Sequence, residues 1–558
     1  MNHSHRFLKI SLFFLCVFYS CSLSFAVRVE RLIDAWQPKH YVVNITLDDQ
    51  LSELTSASAR IDVVILKQTS LIDLDFGELA IDTVTVNSKT ATYTHKEGKL
   101  KINLAEPARP GAKLEISVAY HGKPKDGLIL TNDKDGKPSA VGDNWPNRVH
   151  HWIPTLDHPS AKATVTFNIT APVGNEVVAN GRLDNVQTTS GGNRTWTYSE
   201  GVPIPPYCMI IGVGQFARLE PKERSVTPLS YYVPHSDAPL AIKGFSPTNP
   251  SVAFFSETVA PYPYEKLAMI VGATRFGGME NSSAIVFTSR LFEPRPQDRV
   301  SKTFGTPIGT NALIAHEIAH QWFGDSVTES TWADLWLSEG FATYFAGLFL
   351  QKYESEEAFQ GYMKEAATTA LGFEGRNRIP IHDRDTEDLF KLLNGNNYQK
   401  GAWVLHMLRS RLGDEAFFRG IRSYYAAHAG ATASTEDLRS ALEKSSRQDL
   451  RGFFQRWVYD SGHPQYELSW EFRLKSVGSS SVASRTRELV LTLKQVQPGN
   501  VFLDPVPIVI KTPSGSRDIV LKPTGQTTVE TIQLREQPSG IEIDPRNTLL
   551  KEAKVIRD

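Results

Sequence analysis

From about residue 27 to 233, apolar and polar residues alternate in short runs that Gly, Asn, Asp or Pro interrupt. Alternation puts every second side chain on one face, which is the period of a strand. The runs at 41–47, 60–66, 113–120, 163–169 and 196–199 therefore predict an N-terminal antiparallel β domain over 27–233. After Pro234 the apolar spacing lengthens to three and four. This predicts helices over 310–323, 335–353, 356–370, 398–412, 414–427 and 435–444. Strand-like runs at 266–272 and 283–287 precede them, so the middle unit, 234–464, reads as α+β. Alternation returns at 466–474, 488–493, 507–511 and 518–521, predicting a C-terminal β-sandwich over 465–558. The serine-rich stretch 476–484 reads as a loop.

The first 26 residues stand apart. Arg6 and Lys9 precede an apolar stretch over 10–23, broken by Ser11, Ser20 and Ser22 and followed by Ser24-Phe25-Ala26. This reads as a secretory signal over 1–26 cleaved near Ala26, because the stretch falls short of the ~20 residues that span a bilayer. The expectation is an exported protein, periplasmic or extracellular, with no membrane span in the mature chain. An uncleaved N-terminal anchor is the alternative. Cleavage removes Cys16 and Cys21 and two positive charges, taking the formal charge from −1 to −3 and leaving Cys208 with no partner for an internal disulfide.

At 41% hydrophobic and 22% charged, the chain has the composition of folded domains, and 558 residues are too many for one core. The 60 Lys+Arg balance 61 Asp+Glu without a basic run, which argues against nucleic acid or an anionic membrane as partner. Recognition must lie in a site.

One such site is legible. His316-Glu317-Ile318-Ala319-His320 falls inside the first long helical pattern, where residues four apart share a face, so both imidazoles can hold one metal ion. Glu317, beside that face, can take a proton from a water activated there. Glu339, in Trp336-Leu337-Ser338-Glu339-Gly340 at the start of the next helix, supplies a third ligand. Two imidazoles and a carboxylate leave one tetrahedral position open, as catalytic zinc requires. Between the ligands lie Asp325, Glu329 and Asp334. The sequence alone reads these as solvated surface carboxylates, with orientation of the imidazoles as the alternative.

With Gly277-Gly278-Met279-Glu280-Asn281 upstream, this constellation resembles the membrane alanyl aminopeptidase family of zinc metallopeptidases, the gluzincin aminopeptidases that include leukotriene hydrolase. The resemblance implies a thermolysin-like catalytic domain and one Zn2+ per chain. It further implies that the strand 277–281 holds an extended peptide and that Glu280 binds its free α-ammonium. A buried carboxylate favours a cation, so a free amino terminus is preferred over a blocked one. Tyr398, in Tyr398-Gln399-Lys400-Gly401-Ala402, is similar to the tyrosine that stabilises the oxyanion in relatives. The stretches 151–159 and 460–464 are similar to others of the family, which extends the resemblance over nearly the whole mature chain.

Two departures matter. Asp143-Asn144-Trp145 stands near the place of a Gln-x-Glu that helps hold the amine in many relatives, so amine recognition leans on Glu280. The sequence in hand also carries no match to the large C-terminal helical domain of many relatives, which implies a more open site. The expected function is a zinc aminopeptidase acting on peptides with a free amino terminus. A thermolysin-like endopeptidase and a non-catalytic, zinc-stabilised secreted binding protein are the alternatives.

Overall fold

The computed structural model describes residues 27–225, 227–293, 299–477 and 484–557. The leader expected over 1–26 lies outside the described residues, as does the centre of the loop expected over 476–484. Among the described residues no helix is long and apolar enough to cross a membrane.

The N-terminal unit is built on an eight-stranded sheet in the order Arg182–Thr188, Arg194–Ile204, Ala163–Ala171, Trp36–Leu47, Leu54–Ile65, Lys113–Gly122, Ala80–Val86, Lys89–Thr90. Its alternating apolar positions, among them Tyr41, Val43, Ile61, Val63, Val165 and Phe167, share one core. The expected antiparallel character needs one correction: Trp36–Leu47 runs parallel to Ala163–Ala171, with His40 opposite Thr164. Alternation encodes which face a side chain takes. It does not encode strand direction, which here is set by the long excursion between the two strands.

A five-stranded mixed sheet opens the middle unit and corrects its expected start at 234, because Ala217–Leu219 and Leu229–Val233, read from alternation as part of the N-terminal domain, pair into this sheet. Leu229–Val233, Leu267–Gly272 and Ala284–Thr288 run parallel to one another, and the two-residue strand Gly278–Met279 lies antiparallel along the outer side of Ala284–Thr288. Around it stand α1 (Ala238–Gly244), α2 (Thr248–Thr258), α3 (Ile308–His320), α4 (Trp336–Tyr353), α5 (Glu356–Glu374) and α6 (Gly401–Leu412). Every residue of α4 from Trp336 to Leu350 is buried, as expected of a helix that is apolar on all sides. The carboxylate of Glu339 is thereby carried into the centre of the domain.

The C-terminal strands form a four-stranded and a three-stranded sheet. Leu468, Leu489 and Leu491 of the first and Ile508, Ile510 and Leu521 of the second belong to the same buried cluster as Phe341 and Phe345 of α4.

Candidate active site

The last turns of α3 and the first turn of α4 bring three side chains together. The Nε2 atoms of His316 and His320 lie 3.1 Å apart, and Glu339 Oε2 is 3.3 Å from the first and 3.4 Å from the second. His320 Nδ1 faces Ser338 Oγ at 3.0 Å and the Phe323 carbonyl at 3.2 Å. Bonding that nitrogen to the carbonyl fixes the tautomer whose Nε2 lone pair points at the cluster. Glu339 Oε2 is buried with no hydrogen-bond donor. Two ring nitrogens and an unpartnered carboxylate oxygen, all within 4.8 Å of one another, form a donor set that fits zinc.

The electrostatics show the same demand for a cation. Burial works to raise Glu339, yet the two imidazoles outweigh it and hold its carboxyl at about 2. Burial works to lower His320, yet Glu339 and Glu280 push it up to about 10. Glu280, Glu317 and Glu339 gather more buried carboxylate around these imidazoles than they balance, an excess that a divalent cation would answer.

Glu317 and Glu280 flank this cluster. One oxygen of each and a ring nitrogen of His320 lie within 4.8 Å of one another. Burial pushes Glu317 well above the ordinary carboxylate range, against the pull of His320, and takes Glu280 up to about 7. The strand carrying Glu280 approaches α3 closely. A Cβ on Gly278 would lie 2.3 Å from the Glu317 carboxyl, so a side chain there would have to displace that carboxyl. Gly277, Gly278, Met279 and Glu280 all line a cavity of about 590 Å³ above the metal ligands. Asn281 does not reach it; buried behind the strand, it donates from Nδ2 to the Met279 carbonyl at 3.3 Å.

Tyr398 enters from the far side. It sits in the wide turn Asn396–Lys400 that precedes α6, with its ring stacked on His316 at 6.0 Å and 7°. Two glycines permit this: a Cβ on Gly340 would lie 2.9 Å from Gly401 Cα, so α4 and the start of α6 touch backbone to backbone. Burial and then the Glu339 carboxylate push the Tyr398 hydroxyl well above its usual range, which keeps it a donor.

The solvated reading of Asp325, Glu329 and Asp334 is overturned, for all three are buried. Their loop runs beneath the N-terminal unit, where Lys162 Nζ donates to the carbonyls of Asp325 and Ser326 at 2.7 Å. Asp325 accepts from Gln321 Nε2 at 2.8 Å and Asp334 from the Thr435 amide at 2.9 Å. The partners of His320 are instead Ser338 and the Phe323 carbonyl. Ser338 and Gln321, missed from the sequence, each adjoin a metal ligand in the chain, and that adjacency was their only signal. Asp143 and Asn144 turn away from the cavity, toward Arg148 and Trp152, whereas Trp145 lines it.

Comparison with known proteins gives matches over the same regions. A model described as the peptidase family M1 domain matches residues 247–457, and one described as the peptidase M1 N-terminal domain matches 37–208. Probable aminopeptidase 1 of Sulfurisphaera tokodaii is 26% identical over 425 residues, covering 72% of this chain and 50% of that protein. Aminopeptidase M1 of Arabidopsis thaliana is 27% identical over 451 residues, covering 76% and 50%. Glutamyl aminopeptidase of Rattus norvegicus is 27% identical over 475 residues, covering 79% and 49%. The chain thus spans about half the length of these relatives.

Proposed function

The chain belongs to peptidase family M1, and on that premise we propose that it is a zinc aminopeptidase, removing the first residue of peptides with a free amino terminus. The observation that carries this reading is the packing of Glu280 and Glu317 against His320, beside the ligand set His316, His320 and Glu339. A metal site, a base and an ammonium receptor thus share one cavity.

His316, His320 and Glu339 would hold one Zn2+, which when bound supplies the positive charge that acidifies a water and polarises a carbonyl. Glu280 binds the α-ammonium, and the free side of the Gly277–Gly278 backbone holds the peptide extended. Glu317 takes the proton from the attacking water and returns it to the leaving amine nitrogen. The Tyr398 hydroxyl donates to the oxygen that gains charge as the carbonyl becomes tetrahedral.

The same reading extends to a thermolysin-like catalytic unit that begins with the strand Ala217–Leu219 and runs to 464, a β-sandwich over 465–558 and export directed by a leader ending near Ala26. A panel of peptides offered free and amino-acetylated, with and without chelator, tests the activity. Release of the first residue from free peptides alone, lost on chelation and restored by zinc, is expected. Internal cleavage of the acetylated peptides would favour an endopeptidase instead.

A further inference from the structure

The cavity has two chemically different ends. At one, Trp145, Phe276 and Leu393 line it. Trp145 meets Phe276 edge-on at 6.1 Å and Phe390 at 5.9 Å, and the two phenyl rings stack at 6.5 Å. Arg148 lies over Phe390 at 5.7 Å and closes the back of the wall. At the other end stand Arg299 and Glu365, both exposed, with Arg299 beside Gly361 of α5. Among the described residues these two are the charged lining groups outside the reactive cluster.

The aromatic end adjoins Glu280. Met279, the residue before it, belongs to the same apolar cluster as Trp145, with Phe276 packed against it. A peptide whose ammonium sits on Glu280 must place its first side chain next to that carboxylate, against the wall.

We propose that Trp145, Phe276 and Leu393 form the seat of the first side chain and select large apolar or aromatic residues there. The proposal rests on the aminopeptidase reading and adds the substrate class. An aliphatic or aromatic side chain displaces water from apolar surface. An Arg, Lys, Asp or Glu side chain would lose its hydration with no described partner on that wall. Alanine leaves most of the space unfilled.

The test uses zinc-loaded full-length protein and aminoacyl-coumarin amides of Phe, Leu, Met, Ala, Arg and Glu, together with one long free peptide. Each methylene gained in such a seat is worth ~10-fold or more, so kcat/KM for Phe, Leu and Met should exceed that for Ala by at least about tenfold, with Arg and Glu below Ala. Trp145 is buried, so the deciding variant is Phe276→Ala at a half-buried position. It should lower the Phe-to-Ala ratio by about tenfold while zinc content and Tm stay at wild-type values. An unchanged ratio, or a wild-type ranking led by Ala, Arg or Glu, overturns the proposal alone. Internal cleavage of the long peptide with no release from any amide overturns the aminopeptidase reading, and this proposal with it.

Discussion

Gln321 donates from Nε2 to the backbone carbonyl of Glu280 at 2.8 Å, while its Oε1 accepts from the Ser283 amide, also at 2.8 Å. The residue after His320 therefore grips both ends of the turn that carries Glu280, the proposed ammonium receptor. Its remaining positions are filled by Asp325 Oδ2 at 2.8 Å and the Tyr262 hydroxyl at 2.9 Å. Four directed bonds from one buried amide make the distance between Glu280 and the metal ligands a fixed quantity.

Gln321→Leu keeps the volume and removes all four bonds. Each buried group left unpaired costs ~1–3 kcal/mol, and the turn relaxes to recover part of it. The expected result is a ten- to hundredfold fall in kcat/KM, carried mainly by a higher KM, with zinc content unchanged. Steady-state kinetics and metal analysis read this out, and zinc lost in proportion to activity would mean that Gln321 supports the whole helix end.

Glu317→Gln separates the proposed base from the proposed metal site. The amide fits the same space and cannot hold the shuttled proton. Loss of a general base costs ~10²–10⁴-fold, so turnover should fall by that factor while zinc remains bound. Near-normal turnover in the zinc-loaded variant would remove Glu317 from the mechanism.

Gly278→Ala reaches the same step by a steric route. The added methyl would lie 2.3 Å from the Glu317 carboxyl, so either the carboxyl swings away or the substrate strand lifts from α3. Displacement of about 1 Å in such a site costs on the order of 10²-fold. The expected outcome is turnover reduced toward that of Glu317→Gln with zinc retained. Wild-type activity in this variant would show that the close approach is not needed for reaction.

The elements of this fold were legible where a local period sufficed. The pattern of three and four marked α3 and α4, and the five-residue histidine motif marked the paired imidazoles, because residues on one helix face are a local geometry. The parallel pairing of Trp36–Leu47 with Ala163–Ala171 was not legible, since direction leaves no trace in alternation. Nor was the burial of Asp325, Glu329 and Asp334. A carboxylate in a loop reads as solvated until another part of the chain covers it, and Lys162, which lies over this loop, comes from the N-terminal unit. Gln321 was not legible for a related reason: except for Asp325, its partners lie about 40 to 60 residues away, in the segments that fold against it.

Glu374 supports a prediction about acid stability that reaches back to Tyr398. At the end of α5 its side chain is 1% exposed and accepts from Lys400 Nζ, from His463 Nδ1 at 2.9 Å and from the Gly462 amide at 3.0 Å. Burial works to raise its pKa, but Lys400 and His463 outweigh burial and the net shift is downward. A carboxyl lowered on folding contributes stability that is fully present above the unfolded value, about 4.3, and is lost as pH falls through the lower folded value. Glu374→Gln leaves the Lys400 ammonium buried without its counter-charge, at a cost of ~3–5 kcal/mol. The Tm gap between wild type and variant should therefore be widest above about pH 5 and narrow steadily below about pH 4. Loss of zinc in acid affects both proteins and so cancels in the difference. Lys400 also closes the turn that presents Tyr398, so the variant should lose turnover at neutral pH as well. A gap that widens toward low pH would reverse the sign argued here and place the origin of acid sensitivity elsewhere.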